Sequence, residues 1–376
     1  MREGAPQGRL LPVEGVRALA ALSILVYHSG TRFWQGGFVG VEIFFALSGF
    51  LAARSCLKEI GHSGGVSWRN WCARRLLRLY PALATVVAAL LASGCLLFGR
   101  DVLRKQLLNS LCALLPVADV VRALDLSGLH WMGHVWFLSL DLKYCLLLPP
   151  FLLALRKALP DSGKRTAAVA GIALGAWAWR AALSLAGVGP AYLNNAFGTR
   201  ADAFLAGVVL ALVCDDAGLR ARLGASLGTG ARAMGLALAA LFAAGLFADV
   251  NSPHYIRWGG AAVEAAVFLL LAPIVLGADN FWTRRLSRPA FVRAGGLSYG
   301  VYLWHYPVYV GMGELGFVGG RTIPVCLALS TAAALASWTL VERRFLRIGD
   351  RFRAPSPRAD ARDEERDGDP ERVQRA

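Results

Sequence analysis

Apolar runs of about 20 residues dominate the sequence, and that is the length at which a helix rising 1.5 Å per residue crosses the hydrocarbon of a bilayer. In lipid every backbone N–H and C=O must find its partner inside the protein, so a chain made of such runs has to be helical. The runs fall near residues 10–29, 38–57, 79–98, 133–155, 166–187, 200–214, 231–249, 259–278, 297–315 and 322–341. Composition agrees. Of 376 residues, 56% are hydrophobic, and the mean hydropathy of +0.48 leaves too little polar surface to cover a soluble globule. The expected fold class is all-α, a polytopic integral-membrane bundle of about ten transmembrane helices.

One further segment, 105–123, is short and broken by Pro116, and charge decides its place. Lys58, Arg69, Arg74, Arg75 and Arg78 follow the second run, and basic loops are retained on the cytoplasmic side. If 105–123 crossed, the cluster Arg156, Lys157, Lys164 and Arg165 would fall outside. If it does not cross, that cluster and the later ones at 220–232, 284–293 and 343–347 all fall inside. The chain is thus expected to cross ten times with both termini cytoplasmic, and 105–123 is expected as a re-entrant or interfacial piece on the outer side. The first run has no small-residue cleavage site after it and is expected as a retained span. Residues 1–349 form the expected membrane domain. Residues 350–376 alternate in charge and have few apolar residues to bury, as in a disordered cytoplasmic tail.

The formal charge of +15 is accounted for by these basic loops, so no nucleic-acid partner is expected. Seven scattered cysteines form no CxxC pair and no metal-ligand spacing, so no metal is expected. Only five of the forty basic residues are Lys, and Ala and Gly abound, a usage that points to a GC-rich bacterial genome and a bacterial cytoplasmic membrane.

Against this apolar background the ionisable residues stand out, because such a side chain in hydrocarbon is costly and rarely kept for packing. In "EGVRALAALSILVYH", Arg17 and His28 lie eleven residues apart, within about 20° of one helix face and roughly 16 Å apart along the axis, with Glu14 on the same stripe. A snorkelling arginine and a hydrogen-bonded core histidine are the structural alternatives. In "HVWFLSLDLKY", His134 and Asp141 share a face. Asp141 could orient an imidazole and steady its charged form, or pair with Lys143 or with an arginine of another span. In "LSYGVYLWHYP", Ser298, Tyr302, His305 and Tyr309 form a polar stripe, a pattern that lines cavities. Arg200, Asp202 and Glu264 are candidates for structural ion pairs. In "RRLLRLYP", Arg74, Arg75 and Arg78 could set topology, touch anionic lipid or, beside Arg17, hold phosphate through planar forks of donors. No GxxxxGK[ST] loop is present, so such a phosphate would belong to a group carrier rather than a hydrolysed nucleotide.

These blocks, in this order from about Leu11 to Phe345, resemble the membrane-bound acyltransferase 3 family, which moves acetyl or other short acyl groups from coenzyme A onto sugars and related acceptors. "VEGVRALAALSILVYH" is similar to its opening signature, and "GGFVGVEIFFALSGFL", "RRLLRLYP", "HVWFLSLDLKY", "RADAFLAG", "SYGVYLWHYP" and "LVERRF" to later blocks. Glu14 and Glu42 stand where the family usually has Asp, Asp141 where it usually has Glu, and "ERRF" lacks the usual proline. The resemblance implies an O-acyltransferase with acyl-CoA, typically acetyl-CoA, as donor. The implied acceptor is a carbohydrate or glycosylated molecule: a cell-surface glycan, a lipid-linked sugar or a macrolide-type metabolite. It assigns donor engagement to Arg17, beside which Arg74, Arg75 and Arg78 are the candidate phosphate ligands, and transfer to His28, as general base or as covalent acyl carrier, with Asp141, His134, His305 and Tyr302 as further catalytic candidates. Some relatives carry an extra esterase-like domain outside the membrane, so this chain is expected to work alone or with a separate partner. The alternative from another class is a transporter or flippase whose intramembrane charges form a substrate path.

Overall fold

Helix follows helix through the whole of the described chain, and no strand occurs among the described residues. The computed structural model describes residues 10–126, 128–317 and 322–352. In chain order the helices are α1 (Leu11–His28), α2 (Val39–Ser63), α3 (Trp68–Ser93), α4 (Arg100–Leu114), α5 (Ala118–Ala123), α6 (Trp136–Ala158), α7 (Ser162–Leu185), α8 (Pro190–Asn195), α9 (Ala201–Asp215), α10 (Ala217–Leu227), α11 (Ala231–Phe247), α12 (Gly260–Val275), α13 (Phe281–Leu286), α14 (Pro289–Glu314), α15 (Ile323–Ser337) and α16 (Arg343–Asp350). Prolines in the first turns of α1, α14 and α15 start those helices at no cost in hydrogen bonds. Gly64, at φ 74°, ends α2 in the left-handed conformation that other residues resist.

By length and apolarity, seven of the described helical segments can cross a membrane, or eight if α10 and α11, bent by 78°, make one span. The expectation of ten therefore exceeds what length and composition support. Two of the anticipated spans account for the gap between ten and eight, and α11, with 17 residues, qualifies only together with α10. Helix α9 has only 15 residues, and α14, though 26 residues long, carries its polar stripe through the middle. The segment 105–123 becomes α4 and α5, and neither is long and apolar enough to cross. Of the anticipated tail, residues 353–376 lie outside the described residues.

Helix pairs approach closely where side chains vanish. A Cβ on Gly49 of α2 would stand 2.0 Å from the carbonyl oxygen of Phe204, and one on Gly207 of α9 would stand 1.9 Å from that of Ala46. The same device joins α1 to its neighbours, because Gly40 sits against Ala20 and Gly295 of α14 against the backbone of Glu14. Small residues let membrane helices maximise dispersion contact where no hydrophobic effect drives them together. Charge supplies the second fastening. Arg200 Nη2 lies 2.6 Å from Glu42 Oε1, tying α9's start to α2, and Arg180 Nη2 of α7 lies 2.8 Å from Asp202 Oδ2 and 3.5 Å from Glu264 Oε1 of α12. The Lys143 ammonium donates to both carboxylate oxygens of buried Asp119 at 2.7 Å, fixing α5 on α6. These contacts account for Arg200, Asp202, Glu264 and Lys143 as structural partners.

Gly207→Ala places a methyl group inside the van der Waals shell of a backbone carbonyl that cannot rotate away. We expect it to destabilise the protein by about 3 kcal/mol or more. Gly175→Ala on α7, where a Cβ meets nothing within 4 Å, should be neutral or stabilising by a few tenths of a kcal/mol. Thermal unfolding of both variants in detergent, monitored by intrinsic fluorescence, checks the contrast.

Candidate functional site

The last residue of α1, the 3-10 turn Gly133–Val135 before α6 and the middle of α14 bring three imidazoles together. The ring centroids of His28 and His305 are 5.1 Å apart, and those of His134 and His305 are 5.3 Å apart. His134 and His305 are buried and His28 is half-buried. The protonation pattern follows from what each nitrogen faces, since a carbonyl oxygen can only accept. His305 Nδ1 faces the Tyr302 carbonyl, so it carries the proton and Nε2 carries the lone pair. That Nε2 lies 3.1 Å from His28 Nδ1, which also lies 3.1 Å from the Ile24 carbonyl oxygen, so His28 Nδ1 is the donor to both. The lone pair of His28 is left on Nε2. His134 Nε2 donates to the Leu303 carbonyl at 3.2 Å, which leaves its lone pair on Nδ1, a buried atom with no hydrogen-bond partner among the described residues.

Two further groups frame the cluster. Tyr306 stacks on His134 at 4.9 Å and meets His28 edge-on at 5.0 Å. Arg122, at the end of α5, donates from Nε to Asn195 Oδ1 at 3.1 Å and from Nη1 to the Gly133 carbonyl at 3.4 Å. A Cβ on Gly133 would stand 3.1 Å from both Arg122 Nη1 and the Tyr306 hydroxyl, so glycine is what lets a guanidinium and a phenol close over the turn that carries His134. Neither residue is among those expected from the sequence. Tyr306 was legible, four residues after Tyr302 on the same side of the helix. Arg122 was not, because its segment reads as a broken surface helix.

Toward the other end of α1 lies a second site. Arg17, Arg75 and Arg78 line a cavity of about 90 Å³ together with Ser48, Asp141 and Tyr302. Three guanidiniums against one lining carboxylate leave it strongly positive, as an anionic group requires. Arg17 also lies 3.3 Å from Glu14 Oε2, and the Arg75 guanidinium is 5.0 Å from the Trp71 ring centre.

Tyr302 belongs to both sites. It lines the arginine cavity, its hydroxyl donates to the His134 carbonyl, and its ring lies 5.3 Å from His134 and 5.6 Å from His305. Asp141, anticipated beside an imidazole, sits two helical turns beyond His134, about 10 Å along α6, in the arginine cavity; Oδ1 has no hydrogen-bond partner among the described residues. Arg74 points elsewhere. It pairs with Glu59 at 2.6 Å and donates to the Phe352 carbonyl, which closes the C-terminal end of α16 onto α3. Ser298 and Tyr309 lie on the α14 stripe, and their hydroxyls are buried without partners among the described residues. No group of three or more His, Cys, Asp or Glu among the described residues is arranged to hold a metal ion.

Comparison with known proteins gives the arrangement a context. YrhL of Bacillus subtilis is 28% identical over 312 residues, covering 80% of this chain and 49% of its own length. The peptidoglycan O-acetyltransferase OatA of Listeria monocytogenes is 26% identical over 306 residues, covering 79% of this chain and 49% of that protein. The O-acetyltransferase OatA of Staphylococcus aureus is 24% identical over 349 residues, covering 90% and 57%. The chain thus spans about half the length of the curated relatives it matches. No solved structure matches it. The acyltransferase 3 model, described as an acyltransferase domain, matches residues 12–342, which take in the arginine cavity and all three histidines, and the chain belongs to that family.

Proposed function

We propose that the chain is an integral-membrane O-acyltransferase that takes an acetyl or other short acyl group from acyl-CoA and passes it to a hydroxyl of a carbohydrate or glycosylated acceptor. One observation carries this reading: a positive cavity and a histidine cluster with a free base nitrogen share a wall, Tyr302. The arginines suit the phosphates of the donor. The acceptor hydroxyl oxygen attacks the thioester carbonyl while His28 Nε2 takes the hydroxyl proton. Carbon–sulfur cleavage then expels the thiolate, which takes up a proton to leave as free thiol. Arg122 and the phenol of Tyr306 are the donors nearest the cluster that could steady the tetrahedral oxyanion. Relatives named for peptidoglycan support a glycan as acceptor.

The proposed setting is the bacterial cytoplasmic membrane, with ten spans and both termini cytoplasmic. In that arrangement short α9 and polar α14 cross inside the bundle, and the Arg17 end of α1 faces the cytoplasmic pool of donor. A cysteine at position 163, introduced into a chain free of native cysteines, should resist a membrane-impermeant thiol reagent in intact cells. Ready labelling would refute the ten-span arrangement.

Arg75→Ala removes one charge-assisted phosphate contact and should weaken donor binding by on the order of 1.5–3 kcal/mol with the fold kept. Isothermal titration with acetyl-CoA checks it, and unchanged affinity would move the phosphates elsewhere. His28→Gln keeps a polar group within reach of Ile24 and His305 but offers no base. We expect a folded, donor-binding protein whose transfer rate falls roughly a hundredfold or more. Near-parent turnover would sink the assignment, and acceptor movement across vesicles without acyl product would favour a transporter.

A further inference from the structure

At the His28 end of α1 the links before α2 and before α12 enclose a cleft of about 310 Å³, and nothing in the proposed acyl transfer uses its walls. Tyr27, Thr31, Arg32 and Gln35 face it from one side, and Asp249 and Asn251 from the other. We propose that this cleft seats the acceptor and that its ligand is an uncharged, hydroxyl-rich sugar unit. The proposal deepens the acyltransferase reading and rests on it.

Position comes first. Tyr27 is a wall of the cleft and the chain neighbour of His28, and its ring lies edge-on to the His28 imidazole at 4.9 Å. A molecule held here is therefore one side chain away from the His28 imidazole. His28 is half-buried, whereas His134 and His305 are buried.

The chemistry of the walls selects the ligand. Arg32 and Asp249 face one cleft, yet no ion pair joins them among the described residues. An anionic ligand would gain from Arg32 and be repelled by Asp249, and a cationic one the reverse. An uncharged polyol gains from both, because each hydroxyl donates to a carboxylate and accepts from a guanidinium. The amides of Gln35 and Asn251 and the Thr31 hydroxyl add groups of both kinds, and Tyr27 adds an aromatic wall. The volume lies at the small end of ligand sites, roughly 300–1,000 Å³. Arg32, Gln35, Asp249 and Asn251 are all exposed, so the rest of a longer glycan can trail outward.

The walls are held in place. The Gly36 N–H donates to the Gly245 carbonyl at 2.9 Å, Trp34 Nε1 donates to Ser23 Oγ at 3.1 Å, and Asn194 Nδ2 donates to the Val250 carbonyl at 3.0 Å. The Asn251 N–H donates to Asp249 Oδ1 at 2.9 Å, which leaves the second carboxylate oxygen for a ligand. A cleft fixed at both rims loses little freedom on binding.

The test uses the full chain in nanodiscs, the N-acetylglucosamine tetramer as probe, and Arg32→Ala and Asp249→Ala as variants, both at exposed positions outside the catalytic cluster. Three quantities are read: the saturation-transfer NMR signal of the tetramer, its KM in acetyl transfer, and thiol release from acetyl-CoA. Each variant should raise the tetramer KM roughly tenfold or more, the loss of one charge-assisted hydrogen bond, and weaken the NMR signal. Acetyl-CoA KM should not change. Parent-like tetramer KM in both variants would overturn the cleft assignment and leave the acyltransferase reading standing. Absence of any saturation transfer from the parent protein to the tetramer would overturn the sugar class. If the parent releases no thiol with any acceptor, the acyltransferase reading fails, and an NMR signal seen with the parent but weakened in both variants still upholds the cleft as a sugar site.

Discussion

An ionised group in an apolar interior is tolerable only beside its partner, and the bundle is assembled around that constraint. Glu42 accepts from Arg200 and faces the Tyr255 hydroxyl at 3.4 Å, while Arg180 spans Asp202 and Glu264. Between them these residues bind α2, α7, α9 and α12 at fixed rotations, since any turn of one helix would strand a charge. Removing one member of such a set costs roughly 3–5 kcal/mol, much more than an exposed pair is worth. The glycine contacts between α2 and α9 work to the same end, because only backbones in near contact bring Arg200 within reach of Glu42. Helices α1 and α14 then pack beside this frame and carry His28 and His305.

What results is a line of sites along one axis. The arginine cavity lies toward one end of α1, the imidazoles lie toward the other, and Tyr302 stands between them. Tyr27 continues the line to the cleft before α2. A donor and an acceptor entering from opposite ends would meet without either crossing the bundle, which is the geometry a transfer between two compartments requires. The whole length is set by α1, whose eleven-residue step from Arg17 to His28 spans roughly 16 Å.

Much of this was legible in the sequence, and the rest was hidden for identifiable reasons. Hydrocarbon-length runs are visible because their composition differs so sharply from the loops. Length fails as a guide where a helix is short and buried, as α9 is, or lined with polar groups, as α14 is. The histidines announced themselves as ionisable residues in apolar runs, but their partners could not be read. His134 meets Leu303 across 169 positions and His305 meets His28 across 277. Asp141 shows the limit of a helical face: the direction shared with His134 is real, but two turns of depth place it among arginines. Lys143, a possible partner of Asp141 in the sequence, pairs instead with Asp119 of the segment broken by Pro116.

The hydrogen bond from His28 Nδ1 to the Ile24 carbonyl has a consequence for how many charges the site can carry. A proton arriving at Nε2 makes an imidazolium whose other N–H is already satisfied by Ile24 and by the His305 lone pair, so no heavy atom has to move. The neighbouring rings stand 5.1 Å and 5.3 Å apart in succession, and like charges at that spacing repel strongly where water is scarce. If His28 takes the acceptor proton as proposed, a second proton on a neighbouring ring would be disfavoured by the first, so the first would have to leave before the next acceptor could be deprotonated.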